Sequence, residues 1–163
     1  MINLPYNESN SRPEAFSVER NADGSADIVF AENINEFMQD DEVMYRWEEY
    51  RLTVPYRDNL YENVQNNEPA WLEKAKQKKY DDAAAEVRAV RDSLLKQSDK
   101  QVILDRIALD TSDAACLAQS FAGVLTGVWG IFRQALRNVP QQEGFPFDVI
   151  FPEKPENEIS SGN

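Results

Sequence analysis

The chain has 163 residues, with 17 basic and 29 acidic side chains and a formal charge of −12. That length holds one ordinary domain, or a modest domain with appended arms, whose core needs no disulfide or metal staple, and a field of that sign repels phosphate backbones, so nucleic acid is set aside as a partner. There is no histidine, which removes the commonest general acid/base, the Ser-His and Cys-His pairings, and imidazole metal ligation.

No Gly-rich phosphate loop or Cys-x-x-Cys pair is present. The acidic pairs Asp40-Asp41, Glu48-Glu49 and Asp81-Asp82 are sequence neighbours, which diverge on a helix instead of converging on a substrate. The expectation is therefore a non-enzymatic protein with no catalytic residues, no cofactor and no metal. The lone Cys116 sits in an apolar run and reads as a small buried hydrophobe in a reducing compartment. The start of the chain lacks the basic and apolar stretches of an export signal, so the protein is expected to remain where it is made.

In chain order, Asn7 to Pro13 is polar and breaker-rich and reads as a mobile lead. Phe16 to Arg20 alternates apolar and polar, Asn21-Ala22-Asp23-Gly24 supplies a turn, and Ile28-Val29-Phe30 follows. That pattern predicts a β-hairpin. Asp40 or Asp41 then reads as the cap of a helix to about Thr53, with Val43, Met44, Trp47 and Tyr50 at helical spacing and Pro55 as its stop. Tyr56 to Val64 adds a helical turn or two.

Asn67-Glu68-Pro69 is a helix start signal. From Ala70 to about Gln97, Leu72, Ala75, Ala83, Val87, Val90 and Leu94 form an apolar stripe, with Lys79 its polar exception. The basic cluster Lys74, Lys76, Lys78 and Lys79 reads as a solvated face compensated by Asp81 and Asp82. Ser98-Asp99 is expected to cap a separate short helix through Leu109, and Asp110 to Asp113 to restart the chain.

Ala114 to Phe132 carries no charge over nineteen residues and contains Gly123-x-x-x-Gly127. A membrane span is the competing reading. Gln119, Ser120, Thr126 and the glycines dilute the apolarity, so a helix buried on several faces is preferred. It should run on to Asn138, before Pro140. Trp129 is expected to be buried, sharing a stripe with Leu125, Phe132 and Leu136, and Arg133 and Arg137 lie one turn apart near the helix end. Beyond Gly144, Phe145, Phe147 and Phe151 lie on one side of an expected extended arm punctuated by Pro146 and Pro152. They either fold back on this chain or enter a groove on a partner.

The closing stretch, Trp129-Gly130-Ile131-Phe132-Arg133-Gln134-Ala135-Leu136-Arg137-Asn138, then Pro140, Gly144-Phe145-Pro146 and Val149-Ile150-Phe151-Pro152-Glu153-Lys154-Pro155, resembles the C-terminal cassette of bacteriophage tail assembly chaperone proteins. Arg91-Asp92-Ser93-Leu94-Leu95 and Ser98-Asp99 look like the segment that opens that region. Lys100, Phe132, Asn138 and Phe151 depart from the tryptophan, tyrosine, aspartate and tryptophan usual in the family. The resemblance covers about residues 88 to 155, and phage tail fibre assembly proteins close in a similar way. It implies a protein that binds a tail, fibre or baseplate component in the host cytoplasm, with Phe145, Phe147, Phe151, Arg133, Arg137 and Trp129 as candidate partner-binding residues. A structural component retained in the virion is the alternative, and a membrane-active protein built on residues 114–132 is the third reading. A homo-oligomer is compatible with all three.

The expected fold is mainly α: a helical bundle with long helices, a small N-terminal β-hairpin and an extended C-terminal arm. Its divisions are an N-terminal segment (1–35), a helical region (36–139) and an arm with a polar tail (140–163).

Overall fold

A computed structural model describes residues 6–107 and 127–155, the side chains of residues 100–107 excepted. Two compact units divide the chain, Met1–Ala83 and Ala84–Asn163, and each is taken by itself.

The first unit is built on a four-stranded antiparallel sheet, β1 (Asn7–Ser9), β2 (Phe16–Arg20), β3 (Ser25–Gln39) and β4 (Glu42–Pro55), in the order β1-β4-β3-β2. This overturns the mainly α bundle. The expected β2–β3 hairpin is present, with Phe16 opposite Phe30 and Arg20 opposite Ala26. Its turn is held by Asp23, whose carboxylate accepts from the Ser25 amide (2.9 Å) and hydroxyl (2.6 Å). Gly24 supplies the left-handed φ of 85° that the turn requires.

The helix expected from Asp40 to Thr53 is instead strand β4. Asp40 and Asp41 both have positive φ, 50° and 65°, and form the two-residue turn between the paired Gln39 and Glu42. Positive φ at both central positions is the type I′ hairpin geometry, which matches the right-handed twist of the strands it joins. Aspartate tolerates that conformation better than most residues. The residues read as a mobile lead also pair: Asn7, Glu8 and Ser9 lie opposite Trp47, Arg46 and Tyr45.

Alternation explains the core. Ala26, Ile28 and Phe30 are buried on one face of β3, opposite Val54, Leu52 and Tyr50 of β4. Against them pack Phe16, two helices' worth of apolar residues (Leu60 and Val64 of α1, Leu60–Asn66; Ala75 of α2, Glu68–Ile107), and the half-buried Trp71 and Leu72. Each large side chain buried here contributes about 1.5–3 kcal/mol. Lys79, the exception in the stripe, lies on this face too. Its ammonium donates to the Glu49 carbonyl at 3.0 Å and sits 4.6 Å from the centre of the Tyr50 ring. Lys76 pairs with Glu32 at 2.7 Å, and Lys78 pairs with Asp82. Much of the basic cluster is thus engaged within its own unit.

The start of α2 is as expected: the amides of Ala70 and Trp71 donate to the Asn67 carbonyl. Its far end is not. No new helix begins at Ser98, because α2 continues unbroken to Ile107.

Candidate functional site

The second unit holds the segment that carries the family resemblance. Helix α3 (Val128–Asn138) is amphipathic, with Trp129, Phe132 and Leu136 buried at helical spacing. Leu94 and Leu95 of α2 pack against them, and so does Phe151. Trp129 meets Phe132 edge to face, with ring centres 5.8 Å apart and planes at 90°, the arrangement that a ring quadrupole favours. Trp129 is 6% exposed, as its position on the stripe requires.

Arg133 lies on the same helix and reaches back to α2. Its Nη1 donates to the Leu95 carbonyl (2.9 Å), the Ser98 hydroxyl (2.7 Å) and the Asp99 carboxylate (2.6 Å). Ser98, 1% exposed, donates its own hydroxyl hydrogen bond to the Leu95 carbonyl at 2.7 Å. Every polar group of this buried patch is therefore paired, which is the condition for burying it at small cost. The residues read as a helix cap serve instead as the docking point for an arginine.

After Asn138 the chain makes a short 3-10 turn, Val139–Gln141, and then does not extend. Residues 143–147 form turns, closed by Phe145 N–H to the Gln142 carbonyl (3.0 Å) and Asp148 N–H to the Gly144 carbonyl (2.7 Å). The Phe145–Pro146 peptide bond is cis. Over residues 143–147 the expected extended arm is thus replaced by a folded loop. The reason is local: a Cβ at position 144 would collide with the backbone and Cβ of Asp148, so glycine lets the chain close on itself. Gln142 then clasps Ile150, its amide nitrogen donating to the Ile150 carbonyl and its oxygen accepting from the Ile150 amide, both at 2.8 Å.

Of the candidate residues, Trp129 and Phe151 share one apolar cluster, and Arg133 docks beside it on Leu95, Ser98 and Asp99. Arg137 stands apart, exposed in the last turn of α3. Phe145 is half-buried with the Arg88 guanidinium 5.3 Å from its ring centre, and Phe147 is half-buried. Arg88 and Gln142 were not singled out by the sequence, since nothing local marks a cation for a ring 57 positions away or an amide for a backbone clasp. The surface of the unit shows apolar side chains as well: Val128 (66% exposed), Ile131 (62%) and Ile150 (78%).

Of the charge-free segment, residues 114–126 lie outside the described residues, and no single helix runs through it to Asn138, because Gly127 is extended (φ −66°, ψ 162°) and α3 begins at Val128. Among the described residues no helix is long and apolar enough to cross a membrane. No curated protein and no solved structure matches the chain. Residues 84–156, just under half of the chain, match the family model described as phage tail assembly chaperone protein, the family that the closing cassette resembles.

Proposed function

We propose that the protein is a non-enzymatic phage tail assembly chaperone that binds a tail, fibre or baseplate component in the host cytoplasm before assembly. The observation that carries this reading is the family match over residues 84–156, which spans α3, the folded loop and the part of α2 that packs with them. Of the residues assigned to the partner, Arg137 is exposed and Phe145 and Phe147 are half-buried. Trp129, Arg133 and Phe151 face their own chain and act by holding that surface in shape. The exposed Val128, Ile131 and Ile150 offer apolar area for a client whose own apolar surface awaits assembly. The high negative charge keeps such a complex soluble.

The test is coexpression with each tail, fibre and baseplate protein of the phage that encodes the chain. The reading expects one of these to move from the pellet to the soluble fraction and to copurify with the chaperone. If every one partitions identically with and without it, the reading fails.

A further inference from the structure

The β3–β4 hairpin runs well past the rest of its sheet. On the β2 side, pairing to β3 covers Ala26 to Phe30, and its last bond runs from the Ala31 amide to the Ala15 carbonyl at 2.9 Å. From there β3 continues to Gln39 with no strand on that side among the described residues. A bulge between Glu32 and Asn35, where Asn33 takes a φ of 52°, reverses the parity of the strand. Because Gln39 and Glu42 close a two-residue turn, they form a hydrogen-bonded pair, and so do Phe37 with Met44 and Asn35 with Arg46. The amides and carbonyls of Glu36 and Met38 consequently point away from β4, along an open edge.

The side chains along it mix apolar and acidic groups. Met38 is 63% exposed, and its cross-strand neighbour Val43 is 41% exposed. Tyr45 and Trp47 follow at alternate positions of β4, on the same face as Val43, and are half-buried. Around this apolar strip stand Glu36, Asp40, Asp41 and Glu42, which form no ion pair among the described residues. By contrast, Glu32 is neutralised by Lys76 and Arg46 by Glu8.

We propose that the open edge of β3 at Glu36–Met38 accepts an extended, basic, apolar segment of a partner protein as an added strand. Backbone bonds to Glu36 and Met38 supply the register, Met38 and Val43 take apolar side chains, and the four carboxylates select lysine or arginine between them. A second copy of the chain does not fit, because it would bring its own four carboxylates against these. The surface lies in the first unit, outside residues 84–156, so it stands or falls apart from the chaperone reading.

The experiment titrates the full chain with the synthetic peptide Lys-Val-Lys-Val-Thr-Val-Lys, followed by backbone amide resonances and hydrogen exchange. Controls are the glutamate counterpart and a peptide N-methylated at alternate residues. Binding that protects the Glu36 and Met38 amides, and that weakens by about tenfold or more with the N-methylated peptide, is the expected result. Met38→Pro removes the outward amide together with the methionine side chain, a change an edge strand tolerates, and should weaken binding more than Met38→Ala, which keeps the amide, without lowering the thermal midpoint. If the proline variant fails to fold, the N-methylated peptide on the unaltered chain decides the matter. Equal affinity for the N-methylated peptide would reduce the effect to charge adsorption and overturn the proposal. Failure of the lysine peptide to bind, or self-association through β3 in sedimentation, would overturn it as well.

Discussion

Arg133 donates to the hydroxyl of Ser98 at 2.7 Å across 35 residues of sequence, and that hydroxyl donates in turn to the Leu95 carbonyl. The guanidinium side chain is only 18% exposed, whereas its carboxylate partner Asp99 is 55% exposed. The weight of the interaction therefore falls on the buried hydrogen bonds more than on the ion pair. Arg133→Ala should lower unfolding free energy by about 2 kcal/mol, and Asp99→Ala by less than about 1 kcal/mol. Chemical denaturation of the two variants checks the ranking, and equal losses would contradict it.

Trp129→Ala empties the centre of the second unit's core. The loss should be on the order of 3–5 kcal/mol, the usual range for a large buried aromatic. A thermal melt measures it, and an unchanged midpoint would show that the indole packs against nothing.

Gly144→Ala places a methyl group where Asp148 already stands. Overpacking of this kind costs about 1–3 kcal/mol. The loop between Gln142 and Ile150 should loosen with it, seen as faster hydrogen exchange at the Ile150 amide, which Gln142 holds. The exposed Gly24 has open space beside it, so a change there acts through its positive φ alone.

Asp27 carries a pH dependence of definite sign. The Thr53 hydroxyl donates to its carboxylate at 2.6 Å, and this bond, with help from Asn21 and Arg51 and against desolvation, holds its pKa below the ordinary carboxylate value. A carboxylate with a depressed folded-state pKa adds stability that is fully present above the unfolded pKa and is lost as pH falls through the folded one. Thr53→Val should therefore raise the Asp27 pKa toward the ordinary 3.8 in a carboxyl resonance titration. It should also destabilise the sheet at neutral pH more than below the folded pKa.

Parts of the helical framework were legible in the sequence, and the reasons for the failures are specific. The start at Asn67-Glu68-Pro69, the end at Asn138 and the burial of Trp129 follow from capping chemistry, proline and stripe position. The β2–β3 hairpin follows from its turn and alternation. Strand β4 was missed because Val43, Met44, Trp47 and Tyr50 happen to recur at three- and four-residue intervals, which imitates a helix. The period-two signal was in Tyr50, Leu52 and Val54, which line the core. Asp40-Asp41 reads locally as a helix cap, and only pairing with β3 makes it a left-handed turn. The bulge at Asn33 hid the rest of β3, since alternation counted from Ala26 falls out of phase beyond it. At the candidate site, Ser98 read as a cap because its long-range partner Arg133 is invisible locally. The loop at Gly144 depends on a close approach that no periodicity encodes.

We propose that this chain binds a tail component before assembly and leaves it before the particle is finished. The most direct measurement is quantitative mass spectrometry of two samples: a pull-down of the tagged chain from infected cells, and purified virions from the same infection. The expected result is one tail, fibre or baseplate protein recovered in near-stoichiometric amount with the chain, and no chain in the particles. Recovery of the chain from virions at a fixed copy number would contradict it and identify a structural component, and a pull-down empty of tail proteins would contradict it outright.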